Sequence, residues 1–248
     1  MSRKAARSKS ITIQLNEEAI EDYSTGRTKK KFTEKDLKLI KPITQAQADT
    51  FEAWNQDKSL ILSGSAGTGK SLLALYLSLR EVLTVGNEYH KVVIVRSPTP
   101  TKDIGALPGE LDLKQAVYEA PYDGLCSELF SYSKSYENLK RGGYIEFCLT
   151  SFIRGITLNN SLVIFDEAAS ANLHEIDTVV TRLGKNSKII ICGDVRQSDL
   201  RKGEEGMSDL LRIAAKTGSF EIINFLPEDI VRSGLVKEWI IAREELGI

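Results

Sequence analysis

Six short apolar runs punctuate the chain: SLILS at 59–63, KVVIV at 91–95, YIEFCLT at 144–150, SLVIF at 161–165, KIIIC at 188–192 and EIINFL at 221–226. They are rich in Ile, Val and Leu and mostly unbroken by polar residues, the composition of strands covered on both faces. Most are separated by segments long enough for a helix. Continuous apolar strands with crossovers of that length predict an α/β fold, a mainly parallel sheet with helices on both faces. Two helices are marked directly. Ala48, Phe51 and Trp54 recur at helical spacing in QAQADTFEAWN (45–55), and Leu72, Leu73, Leu75, Tyr76, Leu77 and Leu79 do so after the first strand. The stretch from Pro98 to Arg141 is the least regular. Its PTPTKDIGALPGELDLK mixes proline, glycine and charge, and reads as a surface loop inserted between strands.

Between the first strand and its helix lies Gly64-Ser65-Ala66-Gly67-Thr68-Gly69-Lys70-Ser71, which fits the phosphate-binding pattern G-x-x-x-x-G-K-[ST] with strand before and helix after. Glycines let backbone N–H groups turn inward around a triphosphate, and the N-terminus of the following helix points its positive end at the same place. In that arrangement Lys70 reaches the β- and γ-phosphates and Ser71 binds Mg²⁺. The bland reading of the same residues is a glycine-rich strand-to-helix turn without a ligand.

A second polar cluster ends the fourth run. SLVIF leads straight into Asp166 and Glu167, and in open α/β sheets ligands collect at the carboxyl ends of strands. Asp166 there would hold the metal, directly or through water, and Glu167 would orient or deprotonate the attacking water. The fifth run ends in GDVRQSDL, which places Gln197 on the same rim, where a neutral amide can sense a γ-phosphate; a polar turn with an Asp cap is the alternative.

Composition narrows the classes. The 248 residues are 42% apolar, enough for one large α/β domain, and the net charge of −1 hides an asymmetry. Residues 1–41 hold 11 Lys/Arg against 6 Asp/Glu, and the remainder 22 against 28. This divides the chain into a basic, partly disordered arm (1–41) and a domain (42–248). The opening MSRKAARSKS has no apolar core, so it reads as neither a secretory leader nor a membrane span, but as a solvated arm or a nucleic-acid tether. Cys126, Cys148 and Cys192 are odd in number and lack C-x-x-C spacing, as expected of a reducing, cytoplasmic setting. With only His90 and His174, a histidine-built metal site or a Ser-His hydrolase is a poor fit. Any metal should arrive as Mg²⁺ on a nucleotide.

The ordered set GSAGTGKS, LPGELDLK, SFIRGITLNNSLVIFDEA, TRLGKNSKIIICGDVRQSDL and EDIVRSGLVKEWI resembles the PhoH family of P-loop ATPases, whose core is similar to the first motor domain of superfamily 1 helicases. The match covers roughly residues 42 to 245, with Arg154, Thr181 to Gly184 and Gly193-Asp194 adding to the loop itself. The resemblance implies a single RecA-like P-loop core that binds and hydrolyses ATP with Mg²⁺, linked to RNA or single-stranded DNA. It also implies that Gln45, or its neighbour Gln47, reads the adenine edge, that Gln197 is a phosphate sensor, and that Arg232 is an arginine finger. DEAAS replaces the more usual DEAQN, so Ala169 lacks an amide that could couple nucleotide to nucleic acid; RSPTP keeps Arg96; VRSGLV stands beside Arg232 for VRHPLV.

The function so indicated is an ATPase motor or remodeller on single-stranded nucleic acid, with Arg96, Lys102, Lys114, Arg154 and the arm as candidate contacts. A nucleotide-gated oligomeric scaffold with slow hydrolysis is the alternative, and a small-molecule kinase a more distant one. Too little chain follows Arg232 for a second motor core. The expectation is therefore a homo-oligomeric ring, a hexamer by resemblance, with Arg232 reaching the neighbouring subunit's site.

Overall fold

The computed structural model describes residues 32–98, 111–194 and 206–246, with side chains from residue 115 in the second stretch. All six apolar runs are strands: β1 Ser59–Gly64, β2 Lys91–Arg96, β3 Ile145–Leu149, β4 Ser161–Asp166, β5 Lys188–Gly193 and β6 Phe220–Phe225. They form one wholly parallel sheet in the order β3-β2-β4-β5-β1-β6. The strands at its centre are apolar at consecutive positions because both faces are covered. Leu60, Leu62, Val92, Ile94, Leu162, Ile164 and Ile190 enter one core, and Ile61, Val93, Val95, Val163, Phe165, Ile189 and Ile191 enter the other.

The first core is closed by α1 (Gln45–Asn55), α2 (Lys70–Leu83), α3 (Leu111–Leu129) and α4 (Ser135–Arg141), and the second by α5 (Leu173–Val180) and α6 (Gly206–Thr217). The last helix, α7 (Gly234–Leu246), buries none of its residues and leaves Leu235, Trp239 and Leu246 more than two-thirds exposed. Among the described residues no helix is long and apolar enough to cross a membrane.

Two expectations need correction. Much of the stretch read as a loop is helix: α3 and α4 fill 111–129 and 135–141, and Tyr122, Cys126 and Leu129 bury one face of α3 at i, i+4, i+7. Pro121 stands inside that helix, where a proline removes a backbone donor, and with Gly124 it breaks the pattern that would have announced the element. The packed domain also begins before residue 42. Phe32 is 3% exposed and meets the Phe130 ring edge-on at 5.5 Å, and Leu37 bridges to Phe130. An apolar staple thus holds 32–41 on the domain despite their basic surroundings.

Candidate functional site

β1 ends at the loop, and the loop is gripped by the end of β6. Gly64 has φ +133°, and a Cβ there would stand 1.9 Å from the Phe225 carbonyl oxygen. The Ser65 N–H donates to that same oxygen at 3.2 Å. Further on, the Val231 N–H donates to Gly67 O at 3.0 Å, and a Cβ on Gly67 would meet Arg232 Cγ at 2.8 Å. Only hydrogen fits at these two positions, so the loop is glycine-rich for packing as well as for turning. The buried Thr68 hydroxyl donates to Ser65 O at 3.0 Å and holds the turn from inside.

Lys70 opens α2 and folds back over the loop. Its Nζ donates to Gly64 O at 2.8 Å and Ser65 O at 2.7 Å. Burial lowers its pKa, an effect opposed by nearby Cys192, Asp194, Glu167 and Asp166. The ammonium therefore sits in a partly dehydrated place, satisfied by carbonyls that a phosphate oxygen could replace.

Ser71 and Asp166 meet across the cleft: the Ser71 hydroxyl donates to Asp166 Oδ1 at 2.8 Å. The other carboxylate oxygen, Oδ2, accepts from the Tyr122 hydroxyl of α3 at 2.8 Å. Asp166 is 5% exposed and Tyr122 2%. The phenol is pushed well up by burial and then by the Asp166 charge, so it stays a donor. Glu167, the next residue, is exposed and left-handed at φ 54°, ψ 40°, a conformation a residue with a Cβ adopts at a cost of about 1–3 kcal/mol. That turn separates the adjacent carboxylates, one buried and one open to the cleft.

The cleft has a volume of about 670 Å³, and Lys70, Ser71, Arg96, Asp166, Glu167 and Arg232 are among the residues that line it. One hydroxyl and one carboxylate oxygen in contact, beside Lys70 and the glycine loop, fit Mg²⁺, which takes one or two protein oxygens and completes its shell with phosphates and water. Ser71 and Asp166 would hold the ion.

A model of the family described as "PhoH-like protein" matches residues 39–244. The chain belongs to this family. A PhoH-like protein of Bacillus subtilis is 32% identical over 212 residues, covering 84% of this chain and 65% of its own length. A PhoH-like protein of Mycobacterium tuberculosis is 30% identical over 83% of this chain and 58% of its own length, and protein PhoH of Escherichia coli 29% over 84% and 59%. The chain thus spans about three-fifths of the length of the curated relatives it matches. Among solved structures, the large terminase of a thermophilic bacteriophage in complex with ADP matches 80% of this chain and 49% of its own, with TM-score 0.47 and 15% identity. Pif1 helicase from Candida albicans matches 75% and 40%, with TM-score 0.37 and 17% identity. The architecture of this PhoH-like chain is the expected α/β one, a parallel sheet with helices on both faces and the glycine loop at the end of β1.

Most residues singled out from the sequence converge on one rim. Gly64, Ala66, Gly67, Gly69, Lys70 and Ser71 of the loop line the cleft with Asp166 and Glu167, whereas Ser65 and Thr68 are buried behind it. Of the two glutamines, Gln47 is the one at the loop: it is 5% exposed, accepts from the Ile43 N–H at 3.0 Å and donates to Thr68 O at 3.2 Å. Gln45 lies on the exposed face of α1, bonded to Asp49. Two positions on a helix differ by about 200°, which is why only one can face inward. Arg232 stands over its own loop against Gly67, so no neighbouring subunit is needed to bring it there. Gln197, Lys102 and the arm to residue 31 lie outside the described residues, as does the Lys114 side chain.

Arg96, expected from the sequence as a nucleic-acid contact, lines the same cleft as Lys70 and Asp166, 5.9 Å from the Tyr118 ring centroid and with its buried Nε unpartnered among the described residues. Arg154 donates to His174 Nε2 at 2.8 Å in a separate pocket of about 350 Å³ shared with Arg182. Sequence reasoning missed Tyr122, Phe225 and Val231. None carries a local motif, because each acts through a partner distant in the chain.

Proposed function

We propose that this PhoH-like chain is a Mg²⁺-dependent ATPase that acts on RNA or single-stranded DNA as a motor or remodeller. The observation that carries the reading is the Ser71–Asp166 contact at 2.8 Å beside a lysine held by loop carbonyls. It pairs the two halves expected of a triphosphate site.

In this reading Lys70 leaves Gly64 O and Ser65 O for the β- and γ-phosphates, and the loop N–H groups take the remaining oxygens. Mg²⁺, when bound, neutralises phosphate charge. Glu167 orients a water and accepts its proton as the water oxygen attacks the γ-phosphorus and the bond to the ADP oxygen breaks. Arg232, and Gln197 if its amide reaches the rim, stabilise the charge that develops. Gln47 supports the loop from behind through Thr68 O.

Arg96 is drawn into the cleft, so a nucleic-acid contact falls to Arg154, Arg182 and the basic arm, where phosphate contacts would make affinity salt-dependent and insensitive to sequence. Self-association belongs to the same reading: α7 offers Leu235, Trp239 and Leu246 as an apolar face that a second copy would cover. The hexameric ring loses one of its reasons, since Arg232 reaches its own cleft, and rests now on the family likeness. Cytoplasmic location accords with three free cysteines.

The test is ATP hydrolysis with and without single-stranded RNA and DNA, alongside the mass of the assembly. Hydrolysis should need Mg²⁺, rise with one of the nucleic acids, and vanish in Lys70→Ala while circular dichroism stays native. Tight ATP binding without turnover would favour the nucleotide-gated scaffold, and a Lys70→Ala variant as active as the native chain would overturn the site.

A further inference from the structure

Asp166 would carry the metal, and a carboxylate ligand is only as well placed as the groups that hold it. Both its oxygens are engaged, Oδ1 by Ser71 and Oδ2 by Tyr122. The Ser71 hydroxyl would itself turn to the cation, so its hold on Oδ1 is lost on loading. Arg96 stands opposite Asp166 in the β2/β4 register, but its Nε makes no hydrogen bond among the described residues. What stays fixed is the Tyr122 hydroxyl. Its ring is locked between Tyr136, stacked at 6.4 Å, and Phe147 at 5.9 Å. The neighbouring Pro121 lines the cleft itself.

We propose that Tyr122 is a positioning residue of the metal site: by holding Asp166 Oδ2 it presents Oδ1 to the divalent cation in one orientation. Tyr118, one turn earlier on the same helix, reaches Arg96, so α3 sets the ends of both β2 and β4. This rests on reading the cleft as a Mg²⁺–nucleotide site. Groups that orient a metal ligand in this way are worth about 10- to 100-fold in metal affinity.

Tyr136 supplies the control. It is 6% exposed in the same aromatic cluster, and its hydroxyl has no partner among the described residues. Tyr122→Phe and Tyr136→Phe each remove one buried hydroxyl and keep the ring packing, but only the first touches Asp166. The measurement is Mn²⁺ affinity of the full chain by electron paramagnetic resonance, with a non-hydrolysable ATP analogue present. Analogue binding in EDTA is measured in parallel.

Tyr122→Phe should weaken Mn²⁺ about 10- to 100-fold and leave metal-free analogue binding unchanged, while Tyr136→Phe should change neither. In turnover the half-saturating Mg²⁺ should rise for Tyr122→Phe more than kcat falls. Native Mn²⁺ affinity in Tyr122→Phe, or an equal loss in Tyr136→Phe, would overturn the proposal. If the native chain binds the analogue in EDTA but gains no Mn²⁺ site with it, the metal reading of the cleft fails, and Tyr122 with it. That result differs from a native site that ignores Tyr122→Phe.

Discussion

Gly64→Ala and Gly69→Ala look alike in sequence, two glycines of one loop, yet the structure separates their costs. At Gly64 the added carbon would lie 1.9 Å from Phe225 O, against the ~3.3 Å at which carbon and carbonyl oxygen normally meet. The end of β6 would have to retreat by roughly 1.4 Å. The Ser65–Phe225 hydrogen bond at 3.2 Å does not survive such a shift, a loss of about 1 kcal/mol. The φ of +133° adds about 1–3 kcal/mol of backbone strain. At Gly69 the nearest atom is Gln47 Nε2 at 3.6 Å, an ordinary contact, and the φ of +89° alone costs about 1–2 kcal/mol. Alanine's lower unfolded-state entropy offsets both by the same ~0.4–1 kcal/mol and cancels in the comparison.

After that offset the terms leave about 1–3.5 kcal/mol for Gly64→Ala and about 0–1.5 for Gly69→Ala. At roughly 2–4 °C per kcal/mol for a chain of this size, Tm should fall by about 7 °C and about 2 °C. Thermal and urea unfolding of the nucleotide-free proteins measure this. Equal shifts, or a larger one for Gly69→Ala, would refute the argument that close approach to β6 dictates Gly64.

Glu167→Gln keeps the shape of the side chain but cannot take a proton from water, so ATP should bind with near-native affinity while single-turnover hydrolysis slows by about 10²–10⁴-fold; equal losses of binding and turnover would make Glu167 structural. Because Arg232 stands over its own loop, mixing Arg232→Ala with Lys70→Ala subunits should restore no activity, even where labelled subunits are seen to exchange, and recovery of about a quarter of native activity would show that Arg232 works across a contact instead. Burial pushes the Cys126 thiol up to about 12 and the Cys148 thiol up to about 11 from an ordinary value near 9. The native chain therefore keeps protons that the unfolded chain releases, and this stability is whole below pH 9 and lost as pH rises toward 11–12. Urea midpoints should fall between pH 9 and 10.5, less steeply in Cys126→Ala, and an unchanged slope in that variant would refute the assignment.

The strands were legible because each is a contiguous apolar run, and the loop because all eight of its residues are consecutive. What escaped depended on distance or on a broken pattern. α3 hid behind Pro121 and Gly124, although Tyr122, Cys126 and Leu129 kept its period. Tyr122 had no signal at all, since its chemistry comes from a carboxylate 44 residues later. Gln45 and Gln47 could be told apart only once the direction of α1 was known. That Arg232 stands over its own loop is invisible in the sequence, because nothing in its neighbourhood announces that Val231 pairs with Gly67. Phe32 was absorbed into a basic stretch, where charge outvoted a single aromatic whose partners, Phe130 and Tyr144, lie about a hundred residues on.

The grip of β6 on the loop also sets an order of events during synthesis. Ser65 is complete only when Phe225 is in place, and Gly67 only when Val231 is, roughly 160 residues later in each case. At about 5–20 residues per second, a ribosome takes some 10 to 30 s between making the loop and making the groups that close it. Throughout that interval the nascent chain carries the full phosphate-binding pattern without the backbone that shapes it. A chain stalled or cut before β6 would hold the motif and lack the site, so nucleotide retention by this domain reports that its last strand has been made and has docked.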